Sequence, residues 1–199
     1  MLQACDMPYQ KIYLHPGHHV GYYPGSRPID LKLLFAPDGR LLGAQAVGWE
    51  GVDKRIDVIA TALKAGLTVY DLEEVELCYA PQFGAAKDPV NIAAMIAANA
   101  LRDDAPVRFW NEPLDDVLLD VRDPDEFEAG HVPGAINIPL HQLRERLQEL
   151  PQTQSVSVYC LVGQRAYYAT RLLRLNGVDA RNMTGGYKTF LQFQETCAE

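Results

Sequence analysis

The sequence predicts two units of different class: an α+β unit with an antiparallel sheet and helices, then an α/β unit whose parallel sheet is flanked by helices. Three observations carry this expectation. Two apolar runs flank Pro37-Asp38-Gly39 within IDLKLLFAPDGRLLGAQAVGW, the pattern of strand, tight turn and strand. Beyond about Pro113 short apolar strands alternate with helical patterns, the rhythm of a parallel sheet. Between the two regimes lies RDDAPVRFWNEP, charged and proline-bearing. The expected bounds are residues 1–103, a linker over 104–112 with a short strand around Val107 to Trp110, and residues 113–199.

Individual elements follow from spacing. In VDKRIDVIATALKAGL, Val52, Ile56, Ile59, Leu63 and Leu67 recur near helical spacing, with an end around Gly66. Asp88 followed by Pro89 is a cap and first-turn pair, and the helix it starts, VNIAAMIAANAL, is apolar or small throughout and therefore buried. Further on, DVLLDVR reads as a strand, HQLRERLQEL as a helix, SVSVYC as a strand and RAYYATRLLRLNG as a helix ending at Gly177.

Composition narrows the function classes. A hydrophobic content of 48% over 199 residues is enough for a core in each unit. The formal net charge of -8 argues against nucleic acid or an anionic membrane as partner. No apolar run approaches the roughly 20 residues of a membrane span. The opening MLQACDMPYQKIYL lacks the basic start and apolar stretch of a secretory signal, so a cytoplasmic location is expected. Cys5, Cys78, Cys160 and Cys197 are widely spaced with no C-x-x-C pair, which disfavours a disulfide scaffold or a zinc site. His15, His18 and His19 cluster, but Pro16-Gly17 breaks any helix there and no metal is expected.

Cys160 ends an apolar strand, with the next helix beginning near Arg165. Ligands of open α/β sheets gather at the carboxyl ends of strands, where Cys160 stands. Leu161, Val162, Gly163 and Gln164 form a short loop that aims backbone N–H groups at the sulfur as it curls into a helix start. Those donors and the helix dipole favour a thiolate. Gly163 permits an unusual backbone angle, and Arg165 adds a fixed positive charge. Taken alone, the motif leaves open a plain buried cysteine, as most unpaired cysteines are.

LLDVRDPDEFEAGHVPGAINIPL and the later NMTGGYKTF, together with the cysteine loop, resemble the rhodanese family of sulfurtransferases from about Pro113 to Phe190. The resemblance implies that Cys160 carries a persulfide sulfur between a donor and a nucleophilic acceptor. It implies further that amides from Leu161 to Arg165 hold that sulfur, that Arg165 orders the loop, and that Asp120 and Arg122 support it structurally. Cysteine phosphatases of related arrangement place five residues between Cys and Arg; here there are four, a smaller ring that suits sulfur over phosphate.

The first unit has its own resemblance. HHVGYYPGSRPIDLKLLF and VELCYAPQFGAAKDPVNIAAMIAANAL are similar to the dimerisation domain of pyridine nucleotide-disulfide oxidoreductases, above all the coenzyme A-disulfide reductase group, over about Leu2 to Leu101. That implies a homodimer in which Tyr79 and either Tyr22 or Tyr23 reach the partner's reductase site. FAD, NAD(P)H and coenzyme A are implied for the intact family enzyme. No G-x-G-x-x-G follows a strand in this chain, so none of these cofactors is expected to bind it, and none of Cys5, Cys78 and Cys197 takes the role of the family's flavin-facing cysteine. The resemblance enters partway into the dimerisation domain, which implies a fragment, a truncated gene product or a natural remnant of the longer enzyme.

Three functions are thereby set against one another. The first is sulfur transfer through Cys160 with a low-molecular-weight persulfide or thiol as donor and acceptor. The second is a non-catalytic dimerising module that docks a sulfur-carrier protein. The third is a cysteine phosphatase, which the loop length disfavours.

Overall fold

The computed structural model describes residues 7–151 and 153–197. The chain divides into two compact units, residues 1–102 and 103–199.

The first unit is built on a three-stranded antiparallel sheet in the order β1-β2-β3. β1 (Gln10–Leu14), β2 (Ile29–Phe35) and β3 (Leu41–Gly48) are followed by helices α1 (Val52–Lys64), α2 (Val69–Glu74) and α3 (Pro89–Leu101). Side chains alternate across β2, so Ile29, Leu31, Leu33 and Phe35 all point to the core. The register sets Ile12 opposite Leu33 and Leu14 opposite Leu31, which extends that apolar face onto β1. Helix α3 lays Val90, Ala93, Ala94, Ala97 and Ala98 over this face, and the small side chains let it approach closely. Asp88 caps it through the Val90 N–H at 3.1 Å, with Pro89 in the first turn.

Helix α1 departs from the expected stripe. Its buried residues are Arg55, Ile59 and Ala62, while Leu63 is exposed. A charged residue takes the inward position because it has partners waiting there, described below.

The second unit holds a five-stranded parallel sheet in the order β4-β8-β7-β5-β6. Its elements are β4 (Val107–Arg108), β5 (Val117–Asp120), α4 (Pro124–Glu128), β6 (Ile136–Asn137), β7 (Val156–Tyr159), α5 (Gln164–Leu175), β8 (Ala180–Met183) and α6 (Gly186–Cys197). Every residue of the central strand β7 is buried, as expected where both faces of a sheet are covered. Leu119, Val156, Val158, Ala166, Ala169 and Leu173 form the heart of the core on one side. Trp110, Tyr159, Met183, Tyr187 and Phe190 fill the other.

Two expectations need correction. Residues 104–112, expected as a linker with a short strand around Val107 to Trp110, fall within the second unit, and the strand is confined to Val107–Arg108. Val107–Arg108 pairs with β8 as an edge strand, and Asp103 and Asp104 form ion pairs with Arg174 and Arg171 of α5. Residues 141–150 form turns and one 3-10 turn over Leu147–Glu149 in place of an α-helix. Pro139 and Pro151 bracket the segment, and Leu143 and Leu150 still reach the core.

Candidate active site

The carboxyl ends of three adjacent strands, β5, β7 and β8, converge on one place. β5 ends at Asp120, β7 delivers Cys160 and β8 leads into Thr184-Gly185-Gly186. Cys160 is only 1% exposed. The Gly163 N–H donates to its Sγ at 3.2 Å. The expectation that the whole run of amides from Leu161 to Arg165 faces the sulfur is met at Gly163 alone for the thiol itself. Gly163 adopts φ +96 as the residue preceding α5, a left-handed conformation that a side chain disfavours. Leu161 is half exposed and Gln164 exposed, so the outer wall of the loop is uncharged and open.

The loop is fixed from below by a second glycine segment. Tyr187 N–H donates to the Cys160 carbonyl at 2.7 Å and Lys188 N–H to that of Leu161 at 2.9 Å. A Cβ on Gly186 would stand 2.3 Å from the Cys160 oxygen, so only glycine allows this approach. Trp110 Nε1 donates to the Gly186 carbonyl at 2.9 Å, and Asn182 Nδ2 to that of Gly163 at 3.2 Å. The Gly185-Gly186 pair was visible in the sequence; Trp110 and Asn182 carried no signal of their own.

Asp120 and Arg122 form a buried bidentate pair, with Nη2 to Oδ2 at 2.7 Å. Burial works against the Arg122 charge, and the bonds and charge of Asp120 more than restore it, so its pKa is raised. Arg122 also donates to the Gly130 carbonyl at 2.7 Å and lies over the Tyr187 ring at 4.3 Å. Their link to the cysteine loop therefore runs through Tyr187 rather than by direct hydrogen bonds. Tyr159, beneath, accepts from the Val132 N–H at 3.2 Å, and burial raises its pKa.

The Arg165 guanidinium is engaged by carboxylates. Its two Nη atoms donate to both oxygens of Glu126 at 2.6 and 2.7 Å, and Nη1 lies 3.4 Å from Asp123 Oδ2. The Glu126 hydrogen bonds raise the Arg165 pKa, and the Arg165 bonds in turn lower that of Glu126. Arg165 thus ties the head of α5 to α4. Glu126 is a site residue that spacing alone did not single out.

In the first unit the two adjacent tyrosines differ in their contacts. Tyr22 Oη lies 2.8 Å from Tyr79 Oη, both phenols being exposed, whereas Tyr23 packs edge-on against His19. The hydrogen bond from Tyr22 raises the Tyr79 pKa. The segments bearing these residues are held by Arg55. Its guanidinium meets Asp88 at 2.7 and 3.2 Å and donates to the carbonyls of His18 at 2.7 Å, Gly51 at 3.2 Å and Phe83 at 3.4 Å. Nothing in the local sequence marks Arg55 for this work. Cys78, next to Tyr79, is exposed; Cys5 and the Cys197 side chain lie outside the described residues.

Two strand-to-helix turns of the second unit lack the glycines of a dinucleotide-binding turn. The turn after β5 leads through Arg122 and Asp123 to Pro124, and the turn after β7 has one glycine, whose N–H is spent on Sγ. A pyrophosphate needs spaced glycines and free amides at such a turn. No helix is long and apolar enough to cross a membrane among the described residues.

Comparison with known proteins agrees with this geometry. Residues 102–192 match the rhodanese-like domain. Coenzyme A disulfide reductase of Staphylococcus epidermidis is 45% identical over 85 residues, 42% of this chain and 19% of that protein. The Staphylococcus haemolyticus enzyme is 47% identical over the same length. The chain thus spans about a fifth of the length of these curated relatives. The crystal structure of reduced Bacillus anthracis CoADR-RHD superposes with a TM-score of 0.91 at 42% identity, over 94% of this chain and 35% of that one. A NAD-dependent persulfide reductase from A. fulgidus gives 0.85 at 35% identity, over 94% of this chain and 34% of that one. The second unit is a rhodanese-like domain, in a chain homologous to the C-terminal region of coenzyme A disulfide reductase.

Proposed function

We propose that the second unit transfers sulfane sulfur through a persulfide on Cys160, as the C-terminal portion of an FAD- and NAD(P)H-dependent coenzyme A-disulfide or persulfide reductase. The observation that carries the reading is the Gly163 N–H on Cys160 Sγ at 3.2 Å, at the end of the central strand and the head of α5. The Cys160 thiolate attacks the outer sulfur of a donor R–S–SH. The new Sγ–S bond forms as the donor's S–S bond breaks, and the electron pair leaves on the thiolate RS⁻. An acceptor thiolate then takes the outer sulfur, and Cys160 returns as thiolate. The added sulfur stands about 2 Å beyond Sγ.

Small persulfides and thiols suit an uncharged, half-open wall of Leu161, Val162 and Gln164. For the first unit the reading is a homodimer. Half-buried Ile92, Met95 and Ile96 on α3 and the exposed Tyr22–Tyr79 pair support it, with Tyr22 rather than Tyr23 paired to serve a partner's reductase site. No reductive step is assigned to this chain.

The test is thiocyanate formation from a sulfane donor and cyanide by the wild-type chain and by Cys160→Ala. Loss of transfer in the variant with an intact fold is expected. Equal rates would overturn the assignment and favour the docking module.

A further inference from the structure

The cradle around Cys160 contains a cation that is not available. Arg165 sits at the head of α5, four residues past the loop's start, and its charge and that of the Cys160 sulfur influence each other. Yet both of its Nη atoms are committed to Glu126, at 2.6 and 2.7 Å, and Asp123 stands 3.4 Å from one of them. The three side chains together carry one positive and two negative charges. The other guanidinium near the strand ends, Arg122, is buried against Asp120. The rest of the loop's outer wall, Leu161, Val162 and Gln164, is uncharged.

Resting on the sulfur-transfer reading, we propose that Glu126 determines donor specificity by occupying Arg165, so that the mouth of the cysteine loop disfavours dianionic sulfane donors and accepts singly charged or neutral ones. With thiosulfate, the Cys160 thiolate takes the outer sulfur and sulfite leaves with the bonding pair, so two negative charges must approach and two depart. With an alkane thiosulfonate the same bond breaks and a sulfinate leaves, carrying one charge. An Arg165 free of Glu126 would swing toward the incoming anion; an Arg165 held by it adds little attraction, and Asp123 adds repulsion. Glu126 is a positioning residue: it touches no reacting atom and acts through Arg165.

The experiment compares thiosulfate with methanethiosulfonate, each with cyanide as acceptor, in the wild-type chain, Glu126→Gln and Asp123→Asn. The readout is the ratio of kcat/KM for the two donors, which cancels any loss common to both. Lys188, on the helix packed against the loop, is present in every variant and drops out of the comparison in the same way. Glu126→Gln should raise the thiosulfate-to-methanethiosulfonate ratio by about tenfold, the size of one unit charge acting across a few ångströms of partly wet protein. Asp123→Asn, the more distant partner, should raise it less. In the wild type, added salt should speed thiosulfate more than methanethiosulfonate, because screening removes repulsion that grows with charge. A loop that merely loosened would slow both donors and leave the ratio and its salt dependence alone. Loading of Cys160 by both donors with an unchanged or lower ratio in Glu126→Gln overturns this inference only. Failure of both donors to load wild-type Cys160 overturns the sulfur-transfer reading with it.

Discussion

The tyrosine segments of the first unit and the cysteine loop of the second are both irregular stretches held in fixed shape, with the weight on side chain in one and on main chain in the other. The tyrosine segments are gathered mainly by one side chain, beside a backbone bond from the Val20 N–H to the Gly84 carbonyl at 3.1 Å. Arg55 reaches carbonyls at His18, Gly51 and Phe83 and the Asp88 carboxylate, partners up to 37 residues away in sequence. The cysteine loop is held mainly by main chain: Gly163, Tyr187 and Lys188 N–H groups and the close passage of Gly186, with Asn182 and Trp110 side chains as props. A side-chain keystone concentrates stability in one ion pair, whereas a backbone cradle concentrates geometry in its glycines. Substitutions should therefore hurt the first region through stability and the second through chemistry.

The largest expected effect is at the keystone. Arg55→Ala leaves Asp88 buried without its cation and should cost about 3–5 kcal/mol. Thermal unfolding and hydrogen exchange would read it in residues 1–102, with sulfur transfer by the second unit unchanged. Equal protection in wild type and variant would erase the distinction between the two regions.

Gly186→Ala should do the reverse. At φ +62 the left-handed backbone itself costs about 1–2 kcal/mol. The larger consequence is that its Cβ, 2.3 Å from the Cys160 carbonyl, must push the loop aside. A displacement of that order should slow transfer on the order of a hundredfold. Gly163→Ala is the control: its Cβ meets nothing nearer than 3.7 Å, so strain without displacement should slow transfer far less.

This contrast also explains what the sequence revealed. The cysteine loop, Gly163 and the strand before it are contiguous, so their spacing carried the geometry. The hairpin and α3 were legible for the same reason, through Pro37-Asp38-Gly39 and the Asp88-Pro89 cap. Arg55 was not, because a periodic pattern on α1 rewards apolar positions and cannot foresee a buried charge whose partners arrive from distant loops. β6 escaped because two residues leave no period to detect, and β8 because ARNM mixes polar with apolar residues. Residues 141–150 show the converse: leucines at helical spacing reach the core without a helical backbone.

Smaller effects separate the neighbouring tyrosines. Tyr22→Phe removes the bond that raises the Tyr79 pKa, so Tyr79 should titrate closer to about 10, the ordinary phenol value. Tyr23→Phe should leave it where it is. Ultraviolet difference titration distinguishes the two, and identical shifts in both variants would contradict the pairing.

The smallest concerns the clamp between α4 and α5. Because Arg165 lowers the Glu126 pKa, their pair stabilises fully above the ordinary glutamate range, about 4.3, and is lost as the pH falls through the lowered value. Both side chains are 32% exposed, so screening limits the pair to about 1 kcal/mol at neutral pH. Unfolding of wild type and Glu126→Gln should differ by that much at pH 7 and converge in acid.

The central claim is that Cys160 carries the sulfur. Mass analysis of the peptide containing Cys160, after a sulfane donor and before any acceptor, tests it most directly. A gain of one sulfur atom on Cys160 that disappears when a thiol acceptor is added is the predicted result. No adduct, or an adduct confined to the exposed Cys78, would contradict it.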